Sequence, residues 1–303
     1  EYKIAKGREF GLVGGPVHLG VGQEAIPVGI SQYLNKQDKV FGAHRSHSHI
    51  LSLGIDLKSF FSEILAKSSG ISKGMGGSMH LFGGSVGFSG SVPIVAGTVP
   101  LAVGTALASK LKEEKAVSIS YLGDGAIEEG IVHESLNLAR INNCPVIFVV
   151  ENNLFSSHLN INLRQPKELT YRFAEANDIE SKLLDGNNLT SICKTGKEFI
   201  RRCRAGEGPF FIEAITYRWF GHVDWREDID VGINRSAEDL KYWKKRDPIS
   251  RLKKSLLKNY FEENDLINLE KDIQKDVDNA WMNALEESSP EWNESLSYVF
   301  KPN

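Results

Sequence analysis

The chain has 303 residues, of which 41% are hydrophobic, and its formal net charge at pH 7 is −3. This length and apolar content can bury a substantial core, in one large domain or two small ones. The charge gives no basic footprint for nucleic acid, so we expect no nucleic-acid partner. No apolar run in the sequence is long enough to span a membrane.

The three cysteines, Cys144, Cys193 and Cys203, follow no metal-binding or redox spacing. An odd count without such a pattern favours buried thiols in a reducing compartment. No signal peptide is visible. We expect a bacterial cytoplasmic protein, and because the chain opens at Glu1 without methionine, a mitochondrial matrix location stays open.

The first part of the chain alternates helical and extended patterns. Amphipathic helices are predicted over 23–34 and 57–66, with a short strand at Val40-Phe41 between them. That strand leads into the polar cluster His44-Arg45-Ser46-His47-Ser48-His49. A glycine-rich stretch over 70–90 follows, and its composition predicts a long loop.

The middle of the chain predicts a helix of small residues over 100–110, then strands over 117–122, 146–150 and 209–217 with a helix between the first two. Such alternation predicts an α/β fold with a doubly wound, mainly parallel sheet and helices on both faces.

From Ser236 onward the sequence is charged and helical in pattern, with a break at Asp247-Pro248. We therefore predict an α/β domain over 1–235 and a helical C-terminal cap of the same domain over 236–303.

Polar residues follow two of the predicted strands. Gly123-Asp124-Gly125 ends one strand, and Asn153 comes soon after the next. The carboxyl ends of parallel strands meet at one sheet edge, where ligands bind in open α/β folds. Glycines there let backbone N–H groups approach an anion, and carboxylate and amide oxygens suit Mg²⁺. The pattern predicts a magnesium–diphosphate site.

Each of these residues also has an ordinary structural explanation. Asp124 alone is more often a turn or cap residue, and only its pairing with Asn153 favours a site. His222 fits a solvated loop or an acid–base group near a phosphate. The 44–49 cluster fits a surface turn, or a strand end from which Arg45 clamps a diphosphate. Zinc competes there, but Cys, Asp and Glu are missing at ligand spacing.

Taken together, the motifs resemble the alpha subunit of the thiamine-diphosphate-dependent first component of 2-oxo acid dehydrogenase complexes, a group that includes pyruvate, branched-chain 2-oxo acid and acetoin enzymes. The resemblance covers nearly the whole chain in order. It is carried by Gly15-Pro16-Val17-His18-Leu19, Gly22-Gln23-Glu24-Ala25, Gly76-Gly77-Ser78-Met79-His80, Ile94-Val95, Val99-Pro100-Leu101, the 123–153 segment, Tyr217-Arg218, Gly221-His222 and Asp247-Pro248.

The resemblance implies the thiamin diphosphate-binding fold and a set of site residues. Asp124, Asn153 and the Phe155 carbonyl would bind Mg²⁺, and His222 and His18 would be catalytic. Contacts to thiamine diphosphate would come from His44, Arg45, Pro93, Val95, Gly123, Asp124, Gly125, Ala126, Asn153, Phe155, Arg218 and His222.

The resemblance also implies an oxidoreductase that decarboxylates a small 2-oxo acid and transfers the acyl unit to a lipoyl-bearing acyltransferase. The cofactor supplies the carbanion chemistry, and the protein positions it. A separate beta subunit supplies the activating glutamate, so we expect an inactive isolated chain and an α2β2 assembly, with close subunit packing at the helix over 100–110.

The chain departs from the family pattern at several positions. Pro93 and Ala96 stand where glycines are usual, His44 where tyrosine is usual, and Val223 where animal enzymes have a phosphorylated serine. We expect no regulation by that phosphorylation. The departures leave an acetoin dehydrogenase subunit or a biosynthetic carboligase open. A non-catalytic binding subunit and an unrelated magnesium phosphohydrolase are further alternatives.

Overall fold

The computed structural model describes residues 1–223, 225–226 and 235–293. Eight strands lie in this part of the chain: β1 Lys39–Gly42, β2 Phe88–Ser91, β3 Ser118–Gly123, β4 Val146–Asn152, β5 Phe155–Ser156, β6 Leu159–Asn160, β7 Glu180–Asp185 and β8 Phe210–Ile215. Six of them form one sheet in the order β2-β1-β3-β4-β8-β7, and every pairing in it is parallel. The short β5 and β6 pair antiparallel with each other.

The α-helices of the described residues are α1 Tyr2–Glu9, α2 Ala25–Ser31, α3 His47–Ser52, α4 Leu57–Ile64, α5 Val99–Leu111, α6 Gly130–Ile141, α7 Arg172–Glu175, α8 Leu189–Arg204, α9 Ala237–Lys244, α10 Pro248–Asn259 and α11 Glu263–Leu285. Short 3-10 turns span Gly84–Val86, Ala126–Glu128 and Ile161–Leu163. None of these helices has the length and apolar character needed to cross a membrane.

The central strands β3, β4 and β8 are buried along almost their whole length because helices cover both faces of the sheet. In β4, Ile147 and Val149 pack into one apolar cluster, whereas Phe148 and Val150 pack into another on the opposite face. This alternation follows from the two-residue period of a strand. It confirms the predicted α/β class with a parallel sheet between helical layers.

The strand order places a topological switch point beside β1. From β1 the chain crosses to β2 on one side and then returns to β3 on the other. The connections that leave β1 and β3 therefore diverge, and a crevice opens between them at the carboxyl ends of the strands. The sequence elements predicted to bind a ligand follow these two strands and β4.

Several predicted elements differ in detail. The helix predicted over 23–34 spans Ala25–Ser31, and that predicted over 57–66 spans Leu57–Ile64. The glycine-rich stretch is not entirely a loop, since its end forms β2. The 44–49 cluster is not a surface turn: His47 and His49 are buried at the start of α3.

A buried carboxylate, Glu63, organises the glycine-rich stretch. Its Oε2 accepts from the backbone N–H groups of Ser72 at 2.6 Å and Gly74 at 2.9 Å. Its Oε1 accepts from Gly76 at 2.7 Å and Gly77 at 3.1 Å. Four converging N–H groups balance the desolvated charge of a side chain that has no exposed surface. The loop thus folds around a side chain from α4.

The described part of the C-terminal segment is helical, as the sequence pattern predicts, and its helices pack on the α/β layers. Asp247 accepts from the backbone N–H of Ser250 at 3.0 Å, so the predicted break is the N-cap of α10. Trp281 of α11 packs edge-on against Phe61 of α4, with ring centroids 5.2 Å apart. The domain boundary at 235/236 stays a prediction, and 294–303 lie outside the described residues.

Candidate functional site

A cavity of about 230 Å³ lies at the carboxyl ends of β1, β3 and β4. Twelve of the thirteen predicted site residues line it, namely His18, His44, Arg45, Pro93, Val95, Gly123, Asp124, Gly125, Ala126, Asn153, Phe155 and His222. These residues come from segments far apart in the sequence. The fold therefore brings the predicted set together around one space.

Asp124, the carboxylate of the predicted magnesium site, follows the last residue of β3 and is 1% exposed. Burial raises its pKa to about 6 from its ordinary 3.8, although the nearby Arg164 guanidinium acts in the opposite direction. Arg164 forms ion pairs with both Asp124 and Glu128. The cavity thus contains a carboxylate held near a compensating cation.

Asn153 lines the same cavity as Asp124. Its Nδ2 donates to Gln23 Oε1 at 3.2 Å, and its Oδ1 accepts from the Phe155 backbone N–H at 3.2 Å. The amide is therefore oriented from both ends. Asp124, Asn153 and the Phe155 carbonyl would supply one carboxylate, one amide and one backbone oxygen, which is the donor chemistry that Mg²⁺ prefers. The residues present fit that ion.

The Gly123–Ala126 segment fits a closely approaching anion. A Cβ at Gly125 would lie 2.3 Å from Ser156 Oγ, so this turn requires glycine. A 3-10 turn over Ala126–Glu128 follows, and α6 begins only at Gly130. The helix predicted between these two strands is therefore α6, and it begins only after this 3-10 turn. The N–H groups of such a first turn have no acceptor within the turn itself.

Three histidines and one arginine form the opposite wall. Arg45 Nη1 donates to the Leu19 carbonyl at 2.7 Å, and its Nη2 lies 3.3 Å from His222 Nδ1. The rings of His18 and His44 have centroids 4.5 Å apart, and those of His18 and His222 lie 4.9 Å apart. The three imidazoles are mutually edge-to-face.

Burial keeps these imidazoles neutral. It lowers the pKa of His44 to about 3 and that of His222 to about 2, with the Arg45 charge adding to both shifts. The pKa of His18 is also far below its ordinary range, chiefly because of burial. Near neutral pH each ring therefore offers one N–H donor and one basic nitrogen.

The substituted glycine positions lie in a loop at the cavity mouth. Pro93 and Val95 line the cavity, and Ala96 adopts a left-handed conformation with φ of +59°. This conformation favours glycine, which agrees with the glycine that is usual there. Ala96 thus carries a side chain in a backbone conformation that favours glycine.

Arg218 is the one predicted site residue that does not line the cavity. Its guanidinium is buried behind the wall, donating to the carbonyls of Phe220 at 2.8 Å and Ser157 at 2.7 Å. Since Ser157 lines the cavity, Arg218 positions the wall. Direct contact between Arg218 and a cofactor stays a prediction.

Glu151, a cavity residue two positions before Asn153, was not predicted from the sequence. Glu151 lines the cavity, and its Oε2 lies 3.1 Å from His49 Nε2. The His49 ring stacks on Tyr121 with centroids 4.0 Å apart. Within the described part of the chain, Glu151 Oε1 is buried without a hydrogen-bond partner. A glutamate near the end of an apolar strand was the one available signal.

Comparison with known proteins identifies the family of this chain. The family model for the dehydrogenase E1 component matches residues 10–293. The alpha subunit of acetoin:2,6-dichlorophenolindophenol oxidoreductase from Bacillus subtilis (strain 168) is 33% identical over 290 residues, covering 96% of this chain and 86% of that protein.

Two pyruvate dehydrogenase E1 component alpha subunits are similarly related. That of Rhizobium meliloti (strain 1021) is 32% identical over 287 residues, covering 94% of this chain and 81% of that protein. That of Zymomonas mobilis is 35% identical over 273 residues, covering 89% of this chain and 76% of that protein. The chain therefore belongs to the dehydrogenase E1 component family and is of its alpha-subunit type.

Proposed function

We propose that this chain is the alpha subunit of a thiamine-diphosphate-dependent 2-oxo acid dehydrogenase. The observation that carries the proposal is the convergence of twelve predicted site residues on the cavity at the switch point. It would bind Mg²⁺ and the diphosphate half of the cofactor and act on a small 2-oxo acid. The acyl group would pass to a lipoyl disulfide on an acyltransferase, which takes up the two electrons as CO₂ is released.

The magnesium ion would be held by Asp124, Asn153 and the Phe155 carbonyl. Asp124 first has to leave Arg164, so the guanidinium is available to a second anion, such as a phosphate oxygen or Glu128. On the other side, Arg45 supplies a fixed cation whose Nη1 is already anchored on the Leu19 carbonyl. Positive groups thus flank the proposed diphosphate position from two directions.

The histidine wall would serve the reacting end of the cofactor. When bound, thiamine diphosphate supplies a carbanion equivalent and an electron sink. A neutral imidazole donates a hydrogen bond from its N–H to an oxygen that becomes negative, and its basic nitrogen accepts a proton. His222 and His18 line the cavity, and burial keeps both rings neutral by lowering their pKa values, so both suit hydrogen-bond donation to such an oxygen. The same lowering makes the two rings weak proton acceptors near neutral pH.

The proposal includes a beta subunit that completes the site in an α2β2 assembly. Exposed apolar residues lie beside the cavity mouth and on α5: Ile94, Val95 and Leu101 are all exposed. Gly104 of the same helix has no atom within 4 Å of a Cβ built on it, so another backbone can approach closely. The bacterial cytoplasmic location stays a prediction, since the relatives include bacterial and chloroplastic proteins.

A second candidate is an acetoin-cleaving enzyme. It is favoured by the similarity to the Bacillus subtilis oxidoreductase subunit and by the altered Pro93–Ala96 loop at the cavity mouth. A substrate panel with the beta subunit and an artificial electron acceptor separates the candidates. Reduction of the dye by pyruvate or a branched 2-oxo acid supports the first, whereas reduction only by acetoin supports the second.

Cofactor binding tests the proposal before any substrate is known. Calorimetric titration of the chain and its beta partner with thiamine diphosphate and Mg²⁺ should give saturable binding. Asp124→Asn removes the charge but keeps the shape, and we expect at least about a 100-fold loss of affinity. Asp276→Asn, on the exposed face of α11, is the matched control and should bind as the unmodified chain does. Unchanged binding by Asp124→Asn would overturn the proposal.

A further inference from the structure

Glu213 is a buried carboxylate on β8 that does not itself line the cavity. Its Oε1 accepts a hydrogen bond from Asn152 Nδ2 at 2.7 Å. Its two oxygens accept from the Thr170 backbone N–H at 2.9 and 2.8 Å, and Oε2 also accepts from the Tyr171 N–H at 2.8 Å. These donors balance a charge that has no contact with water, so they fix the position of the carboxylate.

Asn152 connects this carboxylate to the proposed magnesium ligands. It is the buried last residue of β4. Because its Nδ2 faces Glu213, its Oδ1 faces the other way and accepts from the Leu154 backbone N–H at 3.1 Å. The next residue repeats this contact, since Asn153 Oδ1 accepts from the Phe155 N–H at 3.2 Å. Two consecutive asparagine side chains therefore fold the turn that carries Asn153 and the Phe155 carbonyl.

The backbone conformation of this turn needs such support. Leu154 has a φ of +70°, in the left-handed region that disfavours a residue with a large side chain. Its carbonyl accepts from the Ile161 N–H at 2.9 Å, so both of its backbone polar groups are held. A conformation of this kind persists where the surrounding contacts enforce it. On the N–H side that contact is the Asn152 amide, whose orientation Glu213 sets.

We propose that Glu213 is a positioning residue for the magnesium site. Through Asn152 it orients the turn that would present the Asn153 amide oxygen and the Phe155 carbonyl to the ion. This inference rests on the proposed function, because the magnesium site is part of it. Glu213 touches neither the ion nor the cofactor, and it acts by fixing which way the Asn152 amide points.

The same carboxylate reaches the other side of the site. The N–H groups that it accepts from Thr170 and Tyr171 lie at the end of the segment whose Arg164 pairs with Asp124. Glu213 thus holds both segments that meet at the proposed ion. A buried carboxylate with a purely structural role would stabilise the fold without changing the metal affinity of the folded chain.

A donor–acceptor swap within the pair separates positioning from stability. Glu213→Gln turns an NH₂ group toward Asn152 Nδ2, since the other orientation would face the N–H groups of Thr170 and Tyr171 and lose more contacts. Asn152 then has to turn its amide, and the Leu154 N–H loses its acceptor. Asn152→Asp sets two carboxylates against each other. The double variant Asn152→Asp/Glu213→Gln restores one donor and one acceptor, and the new aspartate still accepts from Leu154.

Mn²⁺ serves as the probe, because carboxylate and carbonyl oxygens suit it as they suit Mg²⁺. Electron paramagnetic resonance measures its binding to the complex of the chain and its beta subunit in the presence of thiamine diphosphate. The unmodified complex should show one saturable site per chain. Glu213→Gln and Asn152→Asp should each bind about 10- to 100-fold more weakly, the loss typical of groups that orient metal ligands. The double variant should return to within about 3-fold of the unmodified complex.

Asp38→Asn is the matched control. This buried carboxylate accepts from the backbone N–H groups of Asn35 at 2.7 Å and Val117 at 2.8 Å, but it precedes β1 and so lies at the sheet edge opposite the cavity. Its loss should lower the free energy of unfolding, whereas the folded complex should bind Mn²⁺ as the unmodified one does.

Circular dichroism checks that each variant is folded. Unchanged Mn²⁺ affinity in the folded single variants, or no recovery in the double variant, would overturn the role of Glu213 and leave the proposed function standing. Absence of Mn²⁺ binding by the unmodified complex would overturn both.

Discussion

Replacement of Glu63 by glutamine should destabilise the chain strongly although it changes only one atom. The carboxylate accepts four backbone N–H groups, two on each oxygen. Glutamine keeps one accepting oxygen and turns an NH₂ group toward the other two donors. Two buried N–H groups then lose their partner at roughly 1–3 kcal/mol each, so we expect a loss of about 4 kcal/mol in the free energy of unfolding.

Urea unfolding followed by circular dichroism measures this loss. Glu270→Gln is the matched control, because Glu270 forms an exposed ion pair with Lys253 at 2.8 Å and should change stability by no more than about 0.5 kcal/mol. Trypsin gives a local readout, since exposed Lys73 lies in the loop that Glu63 holds. Cleavage there should accelerate in Glu63→Gln. If Glu63→Gln matches the control in both assays, the four contacts do not organise the loop as described.

Three other substitutions test separate features. Burial raises the pKa of Glu24 to about 7 from 4.5, so its stabilising contribution is complete below pH 4.5 and is lost as pH rises through 7. Urea unfolding at a series of pH values should show that the free energy of unfolding of the unmodified chain, relative to Glu24→Gln, falls by about 3 kcal/mol as pH rises from 4.5 to 7. A difference that stays constant with pH would refute the raised pKa of Glu24. Gly125→Ala places a Cβ 2.3 Å from Ser156 Oγ and should cost about 100-fold in thiamine diphosphate affinity by calorimetry. Gly130→Ala, whose Cβ meets no atom within 4 Å, is its control. Gly104→Ala should stabilise the isolated chain by about 0.5–1 kcal/mol in thermal unfolding but weaken association with a beta subunit in analytical ultracentrifugation, and unchanged association would place the contact elsewhere.

The central strands could be predicted because both of their faces are buried. In β4 all seven residues are buried, and the first five form a continuous apolar run. The two edge strands, β2 and β7, have no such apolar run in their sequences. β7 has the sequence ESKLLD and no fully buried residue, and β2 consists of FSGS within a glycine-rich stretch. Both depend on pairing with a neighbouring strand, which a local pattern does not record.

Only some residues of the candidate site could be predicted from the sequence. Asp124 and Asn153 could be paired from the sequence, because each follows a recognisable strand and parallel strands share an edge. Arg164 and His49 could not, since they reach Asp124 and Glu151 across 40 and 102 residues of chain. The contacts of Glu63 could not be predicted from the sequence either. They are made to backbone N–H groups, which do not depend on the residue type. Long-range polar contacts of this kind appear only once the tertiary fold is known.

The wide sequence separation of the cavity walls has a consequence for folding. His18 and His222 meet in one wall of the cavity, so this wall joins segments from the beginning and the end of the α/β part of the chain. A ligand that needs both walls binds the native state but not a partly folded one, and it therefore reports on the entire unit. At 100 times its dissociation constant it would stabilise the native state by about 2.7 kcal/mol. Occupancy of the cavity would thus also govern how long the chain survives proteolysis.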